Sequence, residues 1–234
     1  MISTSFQQFP LDLIDEPVYG VQDFVVAPCN ADAMAWVHRW PNWPGQGLII
    51  HGPPGCGKSH LATIWRSRSG ATFIDGQSLP DNTRELTSAS SAVIVESAET
   101  ASESKLLHLY NALVEERKTM LLTTRSLLGR WPIKLPDLSS RIGSLPVVGI
   151  RQPDDSLLQA ILVKQFSDRQ LKVKPEVISY LVIRMERSFE VARKIVAVLD
   201  EMALDGHKSV SISLAKTALG KLEDLSPVVN KSRD

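Results

Sequence analysis

The octapeptide GPPGCGKS, residues 52–59, lies between a short apolar run, LIIHG, and a run with helical character, KSHLATIWRSR. It fits the spacing G-x-x-x-x-G-K-[ST], which cradles a phosphate chain when a strand precedes it and a helix follows. Glycines let the backbone wind tightly enough for its N–H groups to point at phosphate oxygens, and the N-terminus of the next helix adds a favourable dipole. The stretch Gly52, Pro53, Pro54, Gly55, Cys56, Gly57, Lys58, Ser59 and His60 is therefore the candidate phosphate-binding set. Lys58 is placed to neutralise the terminal phosphates of ADP or ATP, and the Ser59 hydroxyl to coordinate Mg²⁺. The plainer reading, a glycine-rich turn that happens to match, loses force because both flanking elements are present. Cys56 is read as a tolerated thiol within the loop.

Such a loop requires an α/β fold, and the remaining sequence supplies one. Apolar strands are predicted at 47–50, 71–75, 92–95, 119–124 and 145–150, with helices at 31–39, 58–68 and 102–117. Strands that are short and nearly continuously apolar, separated by helices, indicate a parallel sheet covered on both faces. Asn30 is expected to cap the first helix, and the segment between 76 and 91 reads as a polar loop. After Gln152-Pro153 the pattern changes to helical periods alone, at 155–169, 175–184, 189–204 and 213–222. The expected organisation is an N-terminal tail (1–16), an α/β nucleotide-binding domain (17–152), a small helical lid (153–222) and a C-terminal tail (223–234).

The stretch AVIVESAE, beginning at Ala92, is the candidate acid strand beside the loop. Glu96 can hold a magnesium-bound water. A second acid commonly follows such a residue, but here that position is Ser97. A hydroxyl is no general base near neutral pH unless another group takes its proton. Glu99 follows three residues on, with no fixed direction. Slow or absent intrinsic hydrolysis is the expectation.

Composition excludes several classes. Lys and Arg total 26 and Asp and Glu total 26, so no basic excess marks a protein that coats nucleic acid. Only two cysteines occur, without metal-ligand spacing, which argues against a zinc site or disulfide and fits a reducing cytoplasm. No apolar run approaches the ~20 residues a membrane helix needs. The WVHRWPNWP segment at 36–44 reads as a helix end packing on the sheet, since stacking platforms for bases lie on open basic surfaces.

Several segments together carry a family resemblance: VYGVQDFVVAPCN, HGPPGCGKSHL, LLHLYNAL, LPDLSSRIG and MERSFEVARKIVAVLD. In this order and spacing, over about residues 15–222, the chain resembles the DnaA-related AAA+ replication-initiator family, and within it the regulators that inactivate the initiator. The resemblance implies an AAA+ fold and further roles. Tyr19, Phe24 and Val26 fall at the family's adenine pocket. Thr123, Thr124 and Arg125 fall in its sensor 1 segment, where Arg125 breaks the usual pattern. Arg141 matches an arginine finger acting in trans, and Arg187 the sensor 2 arginine on the lid. A guanidinium suits both roles, being permanently charged, planar and bidentate toward phosphate.

QFPLDL, residues 8–13, resembles a sliding-clamp-binding peptide, with Gln8, Leu11 and Leu13 as the contacting side chains. The resemblance thus implies two partners, the initiator DnaA and the DNA polymerase III sliding clamp (its beta subunit), and adenine nucleotide as ligand. The chain has no DNA-reading helix-turn-helix after the lid, so sequence-specific DNA binding is not expected. The alternative left open is an autonomous AAA+ ATPase, such as a helicase loader, working as a homo-oligomer.

Overall fold

The computed structural model describes residues 24–206 and 209–225. Gln8, Leu11, Leu13 and Tyr19 lie outside them. Five strands form one parallel sheet: β1 (Gly47–His51), β2 (Thr72–Asp75), β3 (Ala92–Glu96), β4 (Thr119–Thr124) and β5 (Val147–Gly149). Their order across the sheet is β2-β3-β4-β1-β5, which puts β1, the strand that feeds the glycine-rich loop, between β4 and β5.

Alternation along the strands builds two cores. On one face Leu48, Ile50, Ile94 and Leu121 pack against α1 (Ala31–Arg39) and α2 (Lys58–Ser69). On the other, Ile49, Val93, Val95, Met120 and Leu122 pack against α4 (Glu103–Glu115) and α5 (Pro136–Gly143). Successive strand side chains point to opposite faces, so an unbroken apolar run serves both layers. β2 is the exception: it ends the sheet, alternates half-buried with exposed residues and leaves Phe73 partly in solvent. Beneath α2, Trp65 is fully buried, stacked on Trp43 at 5.2 Å between ring centroids and met edge-on by Trp40 at 6.0 Å.

Four helices follow the sheet: α6 (Asp155–Asp168), α7 (Pro175–Arg184), α8 (Phe189–Gly206) and α9 (Ile212–Leu225). Their shared core includes Leu158, Leu162, Leu181, Ile195, Val196 and Leu199. Asp154 starts α6 by accepting the Leu157 N–H at 2.8 Å, a cap that leaves one fewer orphan donor in the first turn. Val25, Ala27 and Cys29, ahead of α1, pack on this helical core. The same segment is clasped to the end of the sheet by Arg151, whose backbone N–H and guanidinium donate to the carbonyls of Cys29 and Pro28, each at 3.0 Å. Among the described residues no helix is long and apolar enough to cross a membrane.

Three local expectations need correction. The segment read as a polar loop holds a 3-10 turn (Gly76–Ser78) and a helix, α3 (Thr83–Ala89). That helix buries Thr83 and Thr87 rather than aliphatic residues, so it carries no apolar period; Thr87 donates to the Glu116 carboxylate at 2.7 Å. The residues leading to Arg141, given no element between the strands predicted at 119–124 and 145–150, form α5, which starts on Pro136 and buries Leu138 and Ile142 four residues apart. Asn30 precedes α1 but makes no side-chain cap. Its carboxamide turns back instead, accepting from the Ala27 N–H at 2.9 Å and donating to the Val25 carbonyl at 3.0 Å.

Because Trp65 fills the space beneath α2 with its full ring area, Trp65→Ala should cost about 3–5 kcal/mol of stability in urea denaturation.

Candidate nucleotide-binding site

The glycine-rich loop sits where the sequence places it, after β1 and before α2. Gly55 and Gly57 adopt left-handed backbone angles, with φ of 66° and 102°. An L side chain is strained there, and these two turns fold the loop back toward α2. The Lys58 ammonium donates to the carbonyls of Gly52 at 2.7 Å and Pro53 at 2.8 Å, so it lies across the loop it would serve. Cys56 is buried, and burial raises its thiol pKa while Lys58 opposes the shift. A buried thiol of raised pKa is a poor nucleophile.

The Ser59 hydroxyl is hydrogen-bonded to Oε1 of Glu96 at the C-terminal end of β3, so the two groups expected at a metal are adjacent. No group of three or more His, Cys, Asp or Glu side chains able to hold a metal occurs among the described residues. A magnesium ion here would therefore take Ser59, Glu96, phosphate oxygens and water. Such a donor set suits Mg²⁺, which keeps several waters and needs few protein ligands.

Ser97 sits in the left-handed region, φ 48° and ψ 47°, and its N–H donates to Thr123 Oγ1 at 3.2 Å. Its backbone joins β3 to the end of β4. Glu99 is directed to that same end: Oε1 accepts the Arg125 N–H at 2.9 Å, and Oε2 is buried without a partner among the described residues. Its direction, which spacing could not fix, is thus set by the backbone just after β4.

A cavity of about 400 Å³ opens between the loop and the helical lid. Phe24, Val25 and Asn30 form one wall with Ile161 and Gln165 of α6; Gly55, Gly57, Ser59, Glu190 and Arg193 form the phosphate-loop side. The ring of Phe24 meets that of His60 edge-on at 5.1 Å. Of the residues expected at a base pocket, Phe24 lines the cavity. Val26 is 53% exposed, and the neighbouring Val25 takes the wall instead. A one-residue change of phase in an extended segment reverses which side chains face inward.

The lid is fastened directly to the loop. The Phe189 N–H donates to the Gly55 carbonyl at 3.0 Å. The Ser188 hydroxyl stands against Gly55 so closely that a Cβ there would overlap it, and it also accepts the Val191 N–H at 3.3 Å to start α8. Arg187 is not on the cavity wall and precedes α8 rather than opening it. Its guanidinium makes a bidentate pair with Asp155 at the start of α6, at 2.9 and 3.2 Å. Two lid arginines line the wall, Arg193 one helical turn into α8 and Arg169 at the end of α6. The resemblance named Arg187 alone within ERSFEVARK; the turn that Ser188 makes leaves Arg187 ahead of α8 and puts Arg193 on the cavity wall.

Arg141 lies in the last turn of α5, exposed, with its guanidinium 6.0 Å from the ring centroid of Tyr110. α5 is held at its start by Glu103, which accepts the backbone N–H groups of Lys134 at 3.0 Å and Leu135 at 2.8 Å. Those bonds hold the Glu103 carboxyl below its ordinary pKa.

Solved structures supply the comparison. Domain III of the Thermotoga maritima replication initiation protein DnaA superposes with a TM-score of 0.74 at 18% identity, covering 88% of this chain and 97% of that one. This is a DnaA-like AAA+ fold. AMPPCP-bound DnaA from Aquifex aeolicus gives 0.71 at 16% identity, over 89% of this chain and 70% of that one. The Thermotoga maritima RuvB Holliday junction branch migration motor gives 0.70 at 13%, over 87% and 72%. No protein-family model matches the chain, and no curated protein matches it.

Gly55→Ala would combine a left-handed backbone with a side chain overlapping Ser188. It should lower stability by about 1–3 kcal/mol and speed amide hydrogen exchange at Phe189, with the lid–loop bond loosened first.

Proposed function

We propose that this chain is an adenine-nucleotide-binding regulator of replication initiation, of the type called Hda, which promotes hydrolysis of ATP held by the initiator DnaA. The observation that carries the reading is a pairing of opposites. A complete phosphate loop with Ser59 and Glu96 in contact is followed by Ser97 where a second acid would stand, while Arg141 projects into solvent from an ordered helix. The site is equipped to hold a nucleotide and ill equipped to deprotonate water. The guanidinium is exposed, resting over the edge of the core at Tyr110, and in this reading reaches a phosphate on another molecule.

In this reading Phe24, Val25, Ile161 and Gln165 enclose the base, and the loop N–H groups and Lys58 hold the phosphates. Arg193 approaches them from the lid. Bound Mg²⁺ would neutralise charge on the phosphate oxygens beside Ser59 and Glu96. The reacting ATP belongs to DnaA, and an arginine supplied in trans accelerates phosphoryl transfer by roughly 10³–10⁵. The segment containing Gln8, Leu11 and Leu13 tethers the protein to the sliding clamp. An extended peptide suits that purpose because it covers a groove with few residues. The similarity of fold to DnaA domain III and to AMPPCP-bound DnaA supports the nucleotide and the class of partner.

The test is turnover of DnaA-bound ATP in the presence of DNA-loaded clamp. Addition of this protein should raise it, and Arg141→Ala should remove most of the stimulation while leaving the protein's nucleotide affinity intact. Unchanged turnover with the unaltered protein would refute the proposal. Rapid hydrolysis by the protein alone, abolished by Lys58→Ala, would instead identify an autonomous ATPase.

A further inference from the structure

Glu190 occupies an unusual place for a carboxylate. It stands at the start of α8, on the wall of the cavity that the phosphate loop forms, next to the turn that Ser188 and Phe189 pin to Gly55. A Cβ on Gly55 would come within 3.1 Å of Glu190 Cβ, so the two backbones are in close approach. An acid at a helix N-terminus is favoured by the helix dipole, which accounts for its tolerance there. The same position faces a loop whose chemistry is to bind anions.

The cavity has a direction. Gly57 lies against Phe24 and Phe189, whereas Gly55 lies against Ser188 and Glu190. On the nucleotide-site reading, a ligand with its base beside Phe24 would run its phosphates past Gly57 and Lys58 toward Gly55, and each added phosphoryl group would approach Glu190. Around that carboxylate are three cations. Lys194 pairs with it at 2.6 Å, one turn along α8, while Arg193 on the same helix and Arg125 at the end of β4 lie close enough to act on its charge. Hydrogen bonding from Lys194 and the fields of these cations hold the Glu190 carboxyl below its ordinary pKa, against the opposing effect of burial. It is ionised at neutral pH.

We propose that Glu190 sets the phosphate count of the ligand, biasing this cavity toward a nucleoside diphosphate and against a triphosphate. The inference rests on the nucleotide-site reading above and extends it to which ligand the site retains. Two effects act together. The carboxylate repels the additional negative charge that a triphosphate brings, and it engages the cations that would otherwise receive the outermost phosphoryl group. Both have the same sign, because removing a negative charge near the far end of the chain always favours the more anionic ligand. Glu190 is half-exposed, so solvent screens the interaction and limits its size to about three- to fivefold in relative affinity. The plainer reading is that Glu190 and Lys194 form a helix-surface pair of the common i,i+4 kind. That role predicts a small change in stability and none in the choice between ligands.

Calorimetric titration of the full chain with Mg·ADP and Mg·ATP separates the two. Glu190→Gln should lower the ratio Kd(ATP)/Kd(ADP) about three- to fivefold. Lys194→Gln, which leaves the carboxylate without its partner and removes a cation, should raise it. Glu190→Asp, which keeps the charge, should retain the direction of the unaltered ratio. A ratio within twofold of the unaltered protein in both Glu190→Gln and Lys194→Gln would overturn the proposal, as would Glu190→Asp behaving like Glu190→Gln. If the unaltered chain bound neither nucleotide, the nucleotide-site reading would fall, and this inference with it. That outcome is distinct from measurable binding whose ratio ignores Glu190.

Discussion

The hydrogen bond from the Phe189 N–H to the Gly55 carbonyl joins the two halves of the molecule at the point where a ligand would be held. It is a single backbone bond, worth on its own about 0.5–1.5 kcal/mol. Its importance lies in geometry. Gly55 can present its carbonyl to the lid because the residue lacks a side chain and takes a left-handed turn, and Ser188 fills the space so released. The loop, the first turn of α8 and the cavity wall are therefore set by one contact. A change in loop conformation is passed to the lid without any long chain of intermediates.

The entry segment ahead of α1 reinforces this coupling from the other side. Asn30 folds its carboxamide back onto Val25 and Ala27, and Arg151 clasps Pro28 and Cys29 to the end of the sheet. Val25, Ala27 and Cys29 meanwhile pack on the helical core. One short extended stretch thus contacts the sheet domain and the lid together, and it supplies Phe24 and Val25 to the cavity. Three parts of the chain distant in sequence meet at one pocket.

Much of the architecture was legible in the sequence because it depends on period-two and helical patterning. The strands 92–95 and 119–124, α1 and α7 are each visible as apolar runs or periods of adequate length. What escaped were elements stabilised in other ways. α3 buries two threonines, with the Thr87 hydroxyl donating to Glu116, and α5 is only two turns long, with two buried aliphatics to mark it. At the site, Ser59 and Glu96 were readable because loop and strand fix them independently. Val25 and Arg193 were not, since each depends on the phase of a neighbouring turn: a single residue's slip in an extended segment in one case, the cap by Ser188 in the other. The family resemblance named segments that reach this cavity without resolving that phase.

Arg141 stands on a helix anchored at both levels: Leu138 and Ile142 are sunk into the core beneath the sheet, and Glu103 grips the two peptide groups that precede it. The tip of the side chain lies over Tyr110 of α4, and its base is tied by packing to α4 and, through α4, to the central strands. If Arg141 acts on another molecule as proposed, such a mounting would let it do so without first ordering a loop, so little entropy would be lost in bringing it to bear. The position of Arg141 is in any case decided far from its own guanidinium, by a carboxylate on the neighbouring helix.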